Sequence, residues 1–322
     1  MIGIVLATDE GLLHVLPGSD AETALPGVRC TSLDYRDGVA IAAAPERGVW
    51  MNDGDGWEQV WEGNAHAVRL AGDGVCYAAE TPPRLHRSRD GGETWDELVN
   101  VPSIVRAHTA RRPGAPRREI SIVGIAFPQG QLLLGMRGMG TWLSRDGGLS
   151  WMRGDQIELS ARSEPLQAVA LGEHLNGIWD HQERNDRLYA ASRSGFFRSD
   201  DGGFTWQRTQ QGLDRNNAHG IAVLPGTPDA LLLSIAARGA DADEGADAAL
   251  FRSVNGGLMW DRVTLGDEDA WARPPLVSAV VGGMDMLFAH AGGSIWASHD
   301  KGTRWLPIAD GLPPATAMVA AL

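Results

Sequence analysis

Residues 88–95 read Ser-Arg-Asp-Gly-Gly-Glu-Thr-Trp, and this octet recurs along the chain. A degenerate copy runs from Trp50 to Trp57. Close copies begin at four further serines: Ser144, Ser199, Ser253 and Ser298. Each copy follows an alternating apolar run, and the copies lie at intervals of roughly 50 residues. A motif repeated in this way predicts a stacked repeat protein in which each unit packs against its neighbours.

Each position of the octet has a chemistry suited to a tight turn. The acid or amide in the third position accepts hydrogen bonds from nearby backbone N–H groups. The glycines adopt positive φ, and the tryptophan begins the next strand and packs between sheets. We therefore interpret the third-position residues as structural. The alternative is that they bind calcium or take part in catalysis, but the turn geometry already accounts for every position. These residues are Asp90, Asp146, Asp201, Asn255 and Asp300.

The octet resembles the Asp-box, or BNR repeat, of sialidases, sortilin-type receptors and photosystem assembly factors. In that family the box lies on the hairpin between the third and fourth strands of a β-propeller blade. The resemblance covers most of the chain, and it implies an all-β propeller of four-stranded antiparallel blades.

Composition narrows the classes of partner. The 322 residues include 28 Lys and Arg against 41 Asp and Glu, a net charge of −13, which disfavours a nucleic-acid or anionic-membrane surface. Cys30 and Cys76 are the only cysteines, so no disulfide framework is implied. The first residues lack a basic leader and a long apolar run, which favours a cytoplasmic location.

Short apolar segments separated by Gly, Asp and Pro predict seven blades in one domain. Residues 1–25 offer one strand too few for a blade, and residues 315–322 are a strand left over after the last octet. Pairing the two closes the ring as blade 1 and removes exposed sheet edges; six blades is the fallback. The other expected blades are 26–63, 64–100, 119–154, 175–211, 217–265 and 274–310.

Three long insertions are expected on the face opposite the octets. They span residues 99–119, 154–175 and 238–248, and they fall in connections between blades or between second and third strands. Long loops in a compact domain commonly carry function, so this insertion face is the predicted location of a site. Trp271, Met136 and Met139, if exposed there, would favour a protein or apolar ligand.

Arginines and histidines are the candidate ligand-binding residues on that face. The ends of the second strands carry Arg137, Arg193 and Arg238 in three blades, and Glu46, Glu80 and His290 in three others. A guanidinium cluster suits a carboxylate or phosphate ligand. Alternatively, these arginines pair with the acidic insertion at 241–244.

Histidines on or near innermost strands add His181 and His219 to the candidates. Their spacing matches no metal motif, so no metal or other cofactor is predicted.

Catalysis would require a different set of residues. A sialidase holds its substrate with three arginines and uses a tyrosine nucleophile, and none of Tyr35, Tyr77 and Tyr189 is well placed for that role. A glycosidase with two carboxylates would need acids facing each other across a cleft. The candidates are Asp180, Glu80, Glu46 and Glu173.

The sequence thus predicts a binding or assembly module. Its insertion face would hold a small anionic ligand or a protein partner. The alternative is a glycoside hydrolase with its active site on the same face.

Overall fold

The computed structural model describes residues 3–110, 120–154, 171, 174–226, 228–237, 247–281 and 285–321. These residues form seven four-stranded antiparallel sheets. An α-helix, α1 (Val101–Ala110), lies in the first insertion, and a short 3-10 helix spans Pro128–Gly130.

In chain order the strands are β1 (Gly3–Thr8), β2 (Gly11–Val15), β3 (Glu22–Pro26), β4 (Ser32–Arg36), β5 (Val39–Ala44), β6 (Gly48–Asn52), β7 (Glu58–Trp61), β8 (Ala65–Gly72), β9 (Val75–Glu80), β10 (Arg84–Ser88), β11 (Asp96–Glu97), β12 (Ser121–Ala126), β13 (Leu132–Arg137), β14 (Gly140–Ser144), β15 (Met152–Arg153), β16 (Leu175–Asp180), β17 (Leu188–Ser192), β18 (Gly195–Ser199), β19 (Gln207–Thr209), β20 (Asn217–Leu224), β21 (Ala230–Ala236), β22 (Ala249–Ser253), β23 (Asp261–Val263), β24 (Leu276–Val280), β25 (Met286–Ala291), β26 (Ser294–Ser298), β27 (Leu306–Ala309) and β28 (Ala315–Ala321).

The prediction of a seven-bladed β-propeller is confirmed. Blades 2 to 7 each contain four consecutive strands, from β4–β7 to β24–β27. Blade 1 joins the two ends of the chain, since β28 pairs with β1 in a register that runs from Gly3 opposite Ala321 to Thr8 opposite Ala315. This pairing excludes the six-bladed fallback, and it covers the edge that β1 would otherwise expose.

The hydrophobic core is divided among the interfaces between blades. A large apolar cluster lies at each of the seven interfaces. The second strands supply both sides, because alternate residues of a strand point to opposite faces. In β5, Ile41 and Ala43 pack toward blade 3, while Ala42 and Ala44 pack toward blade 1. Such strands are buried on both faces and therefore read as continuous apolar runs.

Hydrogen bonds within the octet account for its residue types. In blade 3 the Ser88 hydroxyl donates to Asp90 (2.7 Å) and accepts from the Gly92 N–H (2.9 Å), while the Thr94 N–H donates to Asp90 (2.9 Å). The Thr94 hydroxyl also donates to Asp90. This bond, followed by those from the Thr94 N–H and the Ser88 hydroxyl, lowers the pKa of Asp90 to about 2. Comparable bonds form at Asp146, Asp201, Asn255 and Asp300.

The tryptophan of the octet lies just before the fourth strand instead of within it. The indole N–H of Trp95 donates to the carbonyl of Gly92 (3.0 Å), and Trp206 and Trp305 make the equivalent bond. Each of these indoles is therefore fixed to its own turn while its ring packs between blades.

The two faces of the propeller are distinguished by their turns. The octets contact the turns between first and second strands: the Gly91 N–H donates to Gly74 O (2.9 Å) and the Gly202 N–H to Asp186 O (2.8 Å). We call this side the octet face. The opposite side, with the connections between blades and the turns between second and third strands, is the insertion face.

Candidate functional site

Charged and polar residues of blades 4, 5 and 6 meet at the insertion face. Arg137 ends the second strand of blade 4, and Arg193 directly follows the second strand of blade 5. Asn176 and His219 lie near the starts of the innermost strands β16 and β20. Each innermost strand runs from the insertion face to the octet face, so these positions border the same opening of the central channel.

Hydrogen bonds connect this cluster across three blades. The Arg137 Nε donates to Leu175 O (3.3 Å), and its Nη2 lies 3.5 Å from Asn176 Oδ1. The Asn176 amide in turn donates to Ala218 O (2.7 Å) in blade 6. The Arg193 backbone N–H donates to His174 O (3.0 Å). Both arginines are therefore positioned by backbone groups at the blade starts.

The pKa of His219 reflects the positive charge of this cluster. Burial, followed by the positive charges of Arg193 and Arg137, lowers the pKa of His219 to about 4. Its Nε2 atom is buried and has no hydrogen-bond partner among the described residues. An imidazole whose protonation is opposed by two guanidinium charges marks a place where a negative group would be stabilised.

The third predicted arginine and one candidate acid lie outside the described residues. These are Arg238 and Glu173. The predicted alternative, pairing with the acidic residues 241–244, also lies there. Asp247, near the end of the insertion at 238–248, forms an ion pair with a different arginine, Arg215 (2.8 Å).

Glu80 lies on the insertion face but belongs to a separate cluster in blade 3. It accepts from His86 Nε2 (2.8 Å) and from the Asn64 N–H (3.1 Å). Burial acts to raise the pKa of Glu80, but these hydrogen bonds outweigh it and lower the pKa below its ordinary value. Glu46 lies in the neighbouring turn between β5 and β6, where its side chain is exposed and its N–H donates to Asn64 Oδ1 (3.1 Å).

The expectation that Asp180 lies on the insertion face is wrong. Asp180 is the last residue of β16, so it lies at the octet end of the channel. There Asp180 and Asp34 of β4 both bond the guanidinium of Arg69, with Arg69 Nη1 3.0 Å from Asp34. Burial raises the pKa of Asp34, and the Arg69 charge opposes that rise. The three side chains form an ionic bridge across the channel.

His181 is likewise on the octet face, and the structure separates it from His219. Its Nδ1 accepts the N–H groups of Glu183 (3.1 Å) and Arg184 (3.0 Å), so Nε2 carries the proton that bonds Asp229 (2.9 Å). Asp229 is fully buried and also accepts from Arg187 (2.6 Å) and Tyr189 (2.8 Å). Sequence reasoning missed this network, which joins blades 5 and 6.

The remaining candidates are buried. His290 is 7% exposed in β25, and burial lowers its pKa to about 4. Met136, Met139 and Trp271 are 0%, 1% and 8% exposed, so the condition under which they would favour a protein or apolar ligand is not met. They pack in the clusters between blades instead.

Within the described residues, no group of three or more His, Cys, Asp or Glu side chains is arranged to hold a metal ion. The helices of the described part are too short or too polar to cross a bilayer.

The fold and its inter-blade packing define a β-propeller, and the chain resembles solved structures of this fold. An ancestral GH74 enzyme superposes with a TM-score of 0.64 at 16% identity, covering 96% of this chain and 40% of that one. The GH74 xyloglucanase from Xanthomonas campestris gives 0.56 at 16%, covering 87% and 45%. YCF48 bound to D1 peptide gives 0.56 at 15%, covering 98% and 90%.

These similarities show the fold alone. The chain spans less than half the length of the two GH74 chains. No family model matches it, and no curated protein matches it in sequence. The neighbours include glycoside hydrolases and a protein solved with a bound peptide, so they are compatible with both the hydrolase and the binding interpretation.

Proposed function

We propose that the chain is a binding module that holds an anionic group on its insertion face. The site consists of Arg137, Arg193 and His219, and the bound group is a carboxylate or phosphate of a small molecule or a peptide. The octets, which we interpret as Asp-boxes, form the rigid scaffold.

One observation carries this proposal: His219 presents a buried, unpartnered Nε2 atom, within the described residues, beside two guanidinium charges. A bound oxyanion would accept a hydrogen bond from this atom and would offset both charges. The peptide complex of YCF48, a propeller of similar extent, supports a partner that reaches the site as a peptide.

The experiment is an NMR titration of His219 with and without anions. In the free protein we expect the pKa of about 4 that the structure implies. Saturating inorganic phosphate or acetate should raise it by about one unit or more, because a negative charge within ~6 Å favours the protonated imidazole.

Variants separate this site from general charge effects. Arg137→Gln and Arg193→Gln should each weaken anion binding and raise the pKa of His219. Arg89→Gln, an exposed arginine of an octet, is the matched control and should do neither. If phosphate and acetate leave the His219 titration unchanged, the proposal fails.

The glycoside hydrolase alternative has less support. Glu80 bonds His86 and Asn64 in blade 3, whereas Asp180 bonds Arg69 at the opposite end of the channel. Two carboxylates at opposite ends of a propeller do not flank one glycosidic bond. Hydrolysis of a glycoside by the protein, and its loss in Glu80→Gln but not in Arg137→Gln, would favour the hydrolase.

A further inference from the structure

A second concave site lies on the outer rim, between blades 2 and 3. It is an open groove of about 390 Å³. Its lining comes from the outer strand of blade 2 and the octet of blade 3: Gln59, Val60, Trp61, Glu62, Glu93 and Trp95. No candidate residue of the insertion face takes part in it.

Two tryptophans form the aromatic wall of this groove. The ring centroids of Trp61 and Trp95 are 6.0 Å apart with an interplanar angle of 40°. Trp61 also lies 4.6 Å from the ring of His86, and its six-membered ring lies directly against Gly63, where a β-carbon would collide with it. The Trp95 indole is tied to Gly92 O (3.0 Å). Both rings are therefore held in place before any ligand arrives.

Two acidic side chains, Glu62 and Glu93, form the edge of the groove, which we call its lip. Glu62 and Glu93 are exposed, and neither side chain has a hydrogen-bond or ion-pair partner among the described residues. An aromatic wall beside two carboxylates complements a positive charge, because the face of an indole is electron-rich and attracts cations. The 40° tilt between the rings is less suited to a sugar, which stacks on a flat surface.

The repeat shows that the fold does not require these residues here. The place of Glu93 in the octet is taken by Leu149, Phe204, Leu258 and Thr303 in blades 4 to 7, and by Asp55 in the degenerate copy of blade 2. The octet glycine Gly92 of blade 3 packs against Val60 of blade 2, and the equivalent Gly148 of blade 4 packs against Leu98 of blade 3. Leu98 is therefore equivalent to Val60, and the next residue, Val99, is equivalent to Trp61. Trp61 and Glu93 thus face each other across one groove, whereas the equivalent places between blades 3 and 4 carry Val99 and Leu149.

We propose that this groove binds the guanidinium group of an arginine side chain on a partner protein. The planar guanidinium stacks on Trp61 or Trp95 while its N–H groups donate to Glu62 and Glu93. Lysine binds more weakly, since its ammonium is compact and more strongly hydrated. The inference is independent of the anion site on the insertion face.

The test uses the indole N–H signals of Trp61 and Trp95 in NMR spectra, assigned with Trp61→Phe and Trp95→Phe. N-acetyl-arginine amide should shift both signals saturably at millimolar concentration. N-acetyl-citrulline amide has the same shape without the charge, and it should shift them far less. Added salt should weaken the arginine response.

Carboxylate variants test the lip without disturbing the core. Glu62→Gln with Glu93→Gln should weaken arginine binding about threefold or more, as expected for two exposed ion pairs. Glu58→Gln, on the same strand but outside the groove, is the matched control and should leave binding unchanged. Equal shifts from citrulline, shifts from cellobiose in place of arginine, or no shift of either indole would overturn the proposal.

Discussion

Asp229 offers the sharpest test of how neighbouring blades are joined. The carboxylate is fully buried and accepts from His181, Arg187, Tyr189 and the N–H of Gly226. Replacing it by alanine leaves the buried Arg187 without one of its two carboxylates. Removing one partner of a buried pair costs about 3–5 kcal/mol, and the low end applies because Arg187 keeps its 2.7 Å bond to Asp200.

The orphaned hydroxyl of Tyr189 and Nε2 of His181 add about 1 kcal/mol each. We therefore expect Asp229→Ala to lower the free energy of unfolding by about 5 kcal/mol, and Asp229→Asn, which keeps one acceptor, by about 3 kcal/mol. Urea denaturation followed by tryptophan fluorescence measures both. Trp260 is a local reporter, since it contacts Phe196 (4.9 Å between centroids), which stacks on Tyr189.

The effect should depend on pH in a defined direction. Burial acts to raise the pKa of Asp229, but the hydrogen bonds from His181, Tyr189 and Arg187 outweigh it and hold the pKa well below its usual range. A lowered pKa stabilises the fold above the unfolded value of about 3.9, and this stabilisation is lost as the pH falls below it. The difference between wild type and Asp229→Asn should therefore shrink below about pH 4.

The matched control is Glu183→Gln, an exposed acid in the turn that carries His181 and Arg187, which should change the unfolding free energy by less than about 0.5 kcal/mol. A loss below about 1 kcal/mol in Asp229→Ala would show that the network contributes little to stability, and the reasoning would be refuted.

Three further predictions concern the scaffold. Asp201→Ala should destabilise the protein by about 1–3 kcal/mol in thermal or urea melts, because the Ser199 hydroxyl and the Thr205 N–H lose their acceptor; an unchanged melt would contradict this. Arg69→Met should destabilise by about 3–5 kcal/mol by leaving two carboxylates facing each other in the channel, and adding Asp34→Asn should recover part of that loss in the same melts. Truncation before Ala315 removes β28 and should yield aggregates in size-exclusion chromatography, because the β1 edge becomes open; a monomer with an unchanged melt would be the opposite result.

The octets and the strand count allowed the blade number and the ring closure to be predicted. The apolar strand at 315–322 had no place in blade 7, and residues 1–25 lacked one strand, so only their pairing completed the ring. The location of two arginines on the insertion face also followed from the sequence, since Arg137 and Arg193 occupy equivalent ends of second strands, and their role in binding stays a prediction.

The error came from strand direction. The sequence placed Asp180 and His181 on the insertion face because they lie on or next to an innermost strand, but that strand runs toward the octet face, so its end lies there. The exposure of Met136 and Trp271 was left open by the sequence, because both border insertions, and in the structure they fill clusters between blades. Asp229 gave no signal, since it lies in an ordinary turn between Pro228 and Ala230.

The sequence by itself determined the all-β repeat, the seven blades and the closure of the ring, because strand alternation and turn chemistry are local and recur with each unit. Only the tertiary structure decided which side chains meet. The ring brings Arg137 and Arg193 to His219, Arg69 to Asp34 and Asp180, and Trp61 to the octet of blade 3. These groups are far apart along the chain, and their contacts depend on how the blades pack around the axis, which no local pattern specifies.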